Sequence, residues 1–119
     1  MKNKRVALVL GAGGARGMAH IGAIEELLAR GYEISSIAGT SIGSMIAGMY
    51  AAGKLQEAKE WFLEVDKQTI FSMVDINITD HAFVKGKRII EELKNVVPDH
   101  RIEDLPIPCS IVAADLISS

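Results

Sequence analysis

The sequence predicts an α/β fold, a mostly parallel sheet with helices packed on its faces, and three observations carry that prediction. Short apolar runs alternate with stretches whose apolar residues recur at helical spacing. The first run passes directly into a glycine-rich loop, "GAGGARG", that opens a helical stretch. A second run does the same through "GTSIG", so two strand-to-helix turns of unusual composition fall close together.

Taken in order, Val6–Leu10 ("VALVL") is a continuous apolar run bounded by glycine, and it reads as a strand buried on both faces. The loop Gly11–Gly17 follows. Met18, Ile21, Ile24, Leu27 and Leu28 then mark one face of an amphipathic helix, with Glu25, Glu26 and Arg30 on other faces and Gly31 as its stop. Ile34–Ala38 is the second strand. Beyond Ser41, "IGSMIAGMYAA" is apolar nearly all round, as expected of a helix enclosed by the fold, and Gly53 ends it. Leu55–Lys67 places Leu55, Ala58, Phe62 and Val65 at helical spacing beside Trp61. Residues 69–85 show no period. Lys87–Val97 is a further amphipathic helix stopped by Pro98, and a last strand lies near Ser110–Ala114.

A chain of 119 residues has room for one domain. It stops directly after the last strand, with nothing left to cover that strand or extend the sheet. Residues 1–119 therefore read as the N-terminal portion of a single α/β domain, a three-layer sandwich incomplete at its C-terminus.

Composition narrows the function classes. Hydrophobic residues make up 49% and charged residues 24%, a globular balance, and the net charge of −2 argues against a nucleic-acid partner. The basic clusters Lys2–Arg5 and Lys85–Arg88 read as solvated surface. One cysteine, Cys109, rules out an internal disulfide, and its apolar surroundings read as those of a buried, inert thiol. Val6–Leu10 is shorter than the roughly 7–15 apolar residues of a signal peptide core, and no run approaches the roughly 20 of a membrane span. The expectation is a cytoplasmic protein.

Three anion-binding chemistries compete for the glycine loop. A dinucleotide fingerprint needs glycine where Arg16 stands, and a phosphate-binding P-loop needs Lys and Ser or Thr where Met18 and Ala19 stand. An oxyanion hole fits better: glycine-rich backbone entering a helix presents N–H groups to a developing negative charge, with no Cβ in the way. Gly39-Thr40-Ser41-Ile42-Gly43 supplies the matching half. Its G-x-S-x-G spacing after a strand and before a helix is that of a nucleophile elbow, with Ser41 at the turn. The alternative is that Thr40 or Ser41 merely caps the helix.

"GAGGARGMAHIGAIEEL" followed by "IAGTSIGSMIAGMYAAG" resembles the N-terminal half of bacterial patatin-like phospholipases, with the similarity running from Val6 to the "AADL" near the end. The resemblance implies a three-layer α/β/α fold and hydrolysis of lipid acyl esters without metal or organic cofactor. It implies a lipid or other acyl-ester substrate and transient contact with a membrane surface. Ser41 would be the nucleophile, Gly13, Gly14 and Ala15 the oxyanion donors, and Arg16, Gly17, Gly39 and Gly43 the supporting motif positions. Ala12 departs mildly from the family pattern, which often has glycine there.

A serine hydroxyl needs a base. His20 follows the loop where the family carries a structural histidine, and His81 and His100 lie in polar segments without a motif. The family's base is an aspartate in D-G-[GA]. None of Asp66, Asp75, Asp80, Asp99, Asp104 and Asp115 precedes a glycine, and Asp115 matches a structural strand end instead. The expectation is thus a Ser–Asp hydrolase whose catalytic aspartate is not among these residues, with little turnover by this chain alone. A non-catalytic remnant or interaction module is the alternative, and nucleotide binding through the glycine loop a third. Met18, Met45 and Met49 are candidates to line an acyl pocket, although core packing is the expected role for most of them.

Overall fold

The computed structural model describes residues 4–64, 90–95, 97, 99–113 and 117. Three parallel strands, β1 (Arg5–Leu10), β2 (Glu33–Thr40) and β3 (Cys109–Val112), lie side by side in the order β1-β2-β3. Helix α1 (Met18–Ala29) joins β1 to β2, and α2 (Ile42–Ala51) and α3 (Leu55–Glu64) follow β2. Short 3-10 turns occupy Gly14–Gly17 and Ile102–Asp104, and residues 90–95 are helical. The parallel α/β class expected from the sequence is what the chain adopts.

Element limits differ from expectation mainly at the ends. β2 runs on to Thr40, because its ladder to β3 pairs Thr40 with Val112. β3 begins at Cys109 rather than Ser110 and ends at Val112. His81, Asp115 and the Lys85–Arg88 cluster lie outside the described residues, as does the end of the expected Leu55–Lys67 helix.

Ile21, Ile24, Ile42 and Ile46 are the largest fully enclosed side chains, with Leu10, Ile34, Ile37, Ala47, Met49, Ala58, Trp61 and Phe62 around them. Full burial of such a side chain stabilises by about 1.5–3 kcal/mol. Every residue of α2 is buried or half-buried, which is why its sequence is apolar all round. The Trp61 and Phe62 rings meet edge to face, 5.0 Å between centroids. Lys59 on α3 pairs with Glu25 on α1 at 3.0 Å. Met49 is buried, and Met18 and Met45 are half-buried against the same cluster, the packing role expected for most of them.

One expectation is corrected. β1 is not covered on both faces among the described residues: Val9 is 76% exposed, and Val112 on β3 is 66% exposed. The sheet order explains this. Right-handed crossovers that all step in the same direction place their helices on the same face of the sheet. The described helices form one layer, over the face that carries Leu8, Leu10 and Ile37.

The β1–β2 ladder is irregular at one point. Val6 pairs with Ile34, but Ala7 pairs with Ser36, so Ser35 is an extra residue on β2. Its hydroxyl donates to the Val6 carbonyl at 3.1 Å. Ile34 and Ile37 are three positions apart, a spacing that would put them on opposite faces of a regular strand. The bulge brings both into the core, where each is buried.

Candidate active site

β1 and β2 are parallel neighbours, so the turns that leave them open at the same edge of the sheet, where α/β proteins place their ligands. The turn after β2 is a single residue. Thr40 ends the strand, Ile42 begins the helix, and Ser41 makes the whole reversal at φ 54°, ψ −130°. It is the one non-glycine residue with positive φ among those described. Backbone strain of this kind costs about 1–3 kcal/mol and persists only where the surroundings enforce it.

The surroundings do enforce it. A methyl group on Gly39 would stand 2.3 Å from the Gly43 carbonyl oxygen, so the strand end and helix start are in direct backbone contact. A methyl on Gly43 would stand 2.4 Å from the Leu10 carbonyl oxygen and 2.6 Å from that of Gly11. The two glycines of G-x-S-x-G thus close the elbow on itself and seat it against the exit of β1. Ser44 donates to the Ser41 carbonyl twice, through its backbone N–H at 2.9 Å and its hydroxyl at 2.5 Å.

Ser41 stands where a helix cap would, but its side chain makes no capping hydrogen bond, and it is exposed. An ordinary capping serine has β-region dihedrals and spends its oxygen on an N–H of the first turn. Neither feature is present. The reading of Ser41 as a cap is set aside.

The turn after β1 is longer and built of backbone. Gly14 takes φ 57°, a region open to glycine at no steric cost, and Arg16 N–H closes the 3-10 turn on the Gly13 carbonyl at 3.0 Å. Outside that turn, the N–H groups of Gly13 and Gly14 make no backbone hydrogen bond among the described residues. Gly17 is buried against Ile42 of the elbow helix, where an added methyl would meet the Ile42 side chain at 2.3 Å. Arg16 is exposed, and its guanidinium is not paired with a carboxylate of the described residues.

His20 Nε2 lies 2.8 Å from the Gly11 carbonyl oxygen, so the ring donates from the first turns of α1 back to the loop. That is a structural contact, in keeping with its expected role. His100 is exposed. Cys109 is half-buried rather than buried, since β3 lies at the edge of the described sheet; burial still pushes its thiol up, away from the reactive thiolate. The phenol of Tyr50 on α2 is raised for the same reason. Among the described residues no cluster of His, Cys, Asp or Glu has a metal-binding arrangement, and no helix is long and apolar enough to cross a membrane.

Sequence reasoning singled out both turns but missed Ser44. A hydroxyl residue three positions after Ser41 is the signal that marks it, since that spacing reaches back to the carbonyl at a helix start.

Comparison with known proteins places this architecture. The family model described as Patatin-like phospholipase matches residues 8–118. An uncharacterized NTE family protein of Mycobacterium tuberculosis is 43% identical over 114 residues, covering 96% of this chain and 32% of the relative. The human patatin-like phospholipase domain-containing protein 6 is 34% identical over 119 residues, covering 96% of this chain and 9% of the relative. Neuropathy target esterase sws of Drosophila persimilis is 29% identical, again over 96% of this chain but 8% of its own length. The chain thus spans about a third of the mycobacterial relative and less than a tenth of the animal ones. No solved structure shows a significant match. With this match over nearly its whole length, the chain belongs to the patatin-like phospholipase family, a family of lipid hydrolases.

Proposed function

We propose that this chain carries the nucleophile and oxyanion half of a serine acyl hydrolase acting on lipid esters. One observation carries the reading: Ser41 is held in a strained, exposed turn with its hydroxyl committed to nothing in the helix it precedes. Its Oγ attacks the ester carbonyl, and its proton passes to a base. The tetrahedral oxyanion is met by the N–H groups of Gly13, Gly14 and Ala15, each such donor contributing about 2.7–4 kcal/mol to the transition state. Collapse breaks the bond to the alcohol, which leaves with the proton, and water then releases the fatty acid from the acyl-serine.

The base in this proposal is an aspartate of a Ser–Asp dyad. The 119 residues contain no Asp-Gly pair, so the dyad partner lies outside them and the chain alone turns over little ester. Arg16, Gly17, Gly39 and Gly43 shape the two turns. Substrate reaches the site from a membrane surface by transient contact.

The test is covalent labelling. Incubation with a fluorophosphonate, followed by peptide mapping, is expected to place the adduct on Ser41 in the protein at its native length, and Ser41→Ala is expected to remove it. p-Nitrophenyl ester hydrolysis should fall in the same variant by at least about 10³-fold. An adduct elsewhere, or hydrolysis that survives Ser41→Ala, overturns the assignment; neither adduct nor hydrolysis in the protein at its native length makes the non-catalytic interaction module the better reading.

A further inference from the structure

A serine at the start of a helix ordinarily turns its Oγ toward the N–H of the second or third helical residue. The third residue after Ser41 is Ser44, and both of its donors are already spent. Its N–H reaches the Ser41 carbonyl at 2.9 Å and its hydroxyl reaches the same oxygen at 2.5 Å. We propose that Ser44 is a positioning residue for Ser41, fixing the nucleophile's backbone and keeping its hydroxyl off the helix; this rests on the reading of Ser41 as the nucleophile.

The physics is local. Rotation about ψ of Ser41 swings its carbonyl, and a carbonyl held by two donors from one residue resists that rotation. Release of the carbonyl lets the turn relax toward ordinary capping dihedrals, in which Oγ takes the Ser44 N–H and ceases to be available. Gly39 and Gly43 let the backbones approach closely, but neither has a side chain to orient the carbonyl. Ser44 is half-buried and its hydroxyl bond is open to solvent, so its choice of the Ser41 carbonyl over water is set by the turn.

A helical serine also donates to a preceding carbonyl simply to satisfy itself. Kinetics separate the two roles. The rate of fluorophosphonate labelling at Ser41 is measured in the protein at native length for wild type, Ser44→Ala and Ser44→Thr, with Ser41→Ala as blank and thermal melts alongside. Ser44→Ala is expected to slow labelling about three- to tenfold, the scale of one net hydrogen bond, and to lower kcat for an ester with KM unchanged. Ser44→Thr keeps the hydroxyl and should return labelling to near the wild-type rate. Should Ser44→Ala melt early, Ser44→Cys keeps the volume with a far weaker donor and should show the same slowing.

Labelling of Ser44→Ala at the wild-type rate, or a Ser44→Thr variant as slow as the alanine one, overturns the inference and leaves the nucleophile assignment standing. A wild-type protein unlabelled at Ser41 overturns that assignment, and the role of Ser44 with it.

Discussion

The two strand-to-helix turns face the same edge of the sheet yet are built in opposite ways. After β1 the chain takes the whole of Gly11–Gly17 to reverse, and its positive φ falls on Gly14, which has no Cβ to strain. After β2 the chain reverses in one residue, and the positive φ falls on a serine. The first turn is relaxed and displays backbone N–H groups. The second is strained and displays a side chain. An acyl-transfer site needs one of each, because the oxyanion is stabilised by fixed dipoles while the attack requires an atom pushed clear of its surroundings. Among the described residues, a side chain on a positive-φ backbone is thus confined to Ser41, the position the proposed attack would use.

That contrast can be broken most severely at the contact between the turns. Gly43→Ala drives a methyl into the Leu10 and Gly11 carbonyls. Overpacking commonly costs 1–3 kcal/mol, and here rigid backbone lies on both sides, so about 3 kcal/mol or more is expected in denaturant unfolding. A variant as stable as wild type would show that the elbow is not seated on β1.

A paired substitution sharpens the difference in strain. Gly14→Ala should destabilise by about 1–2 kcal/mol, the penalty of a Cβ in the left-handed region. Ser41→Gly should do the reverse and raise stability by about 1 kcal/mol while removing the proposed nucleophile. Thermal melts of both, with the two shifts opposite in sign, are the expected result. A Ser41→Gly variant no more stable than wild type would show that the Ser41 side chain adds no strain to its turn.

The smallest effect belongs to a glycine that neither turn needs. Gly48 lies inside α2 with open space where a Cβ would stand. Gly48→Ala is expected to stabilise by about 0.5–1 kcal/mol in the same unfolding assay, with ester hydrolysis unchanged.

Much of this was legible in the sequence because it depends on local pattern. The strands, the helices and both turns follow from apolar periodicity and from glycine placement, and the enclosed character of α2 follows from "IGSMIAGMYAA". The exposure of Val9 among the described residues was not legible in "VALVL", since its apolar character is the same whether a layer lies over it or not. Nor was the conformation of Ser41 legible from its own neighbours alone. It depends on Gly43 meeting Leu10 and Gly11, residues far apart in the chain, and on a Ser44 hydroxyl whose target is known only once the helix is in place.

The extra residue at Ser35 reaches further than its own hydrogen bond. It lies at the start of β2, and everything beyond it, including Gly39 at the other end, takes its facing from it. Strand facing has a period of two, so a chain lacking that residue could not turn both Ile34 and Gly39 to the core face. Such a chain would still read "GAGGARG" and "GTSIG", and any motif comparison would class it with the intact ones. One added residue at the base of β2 thus decides whether the start of that strand and the turn at its far end can serve the same face.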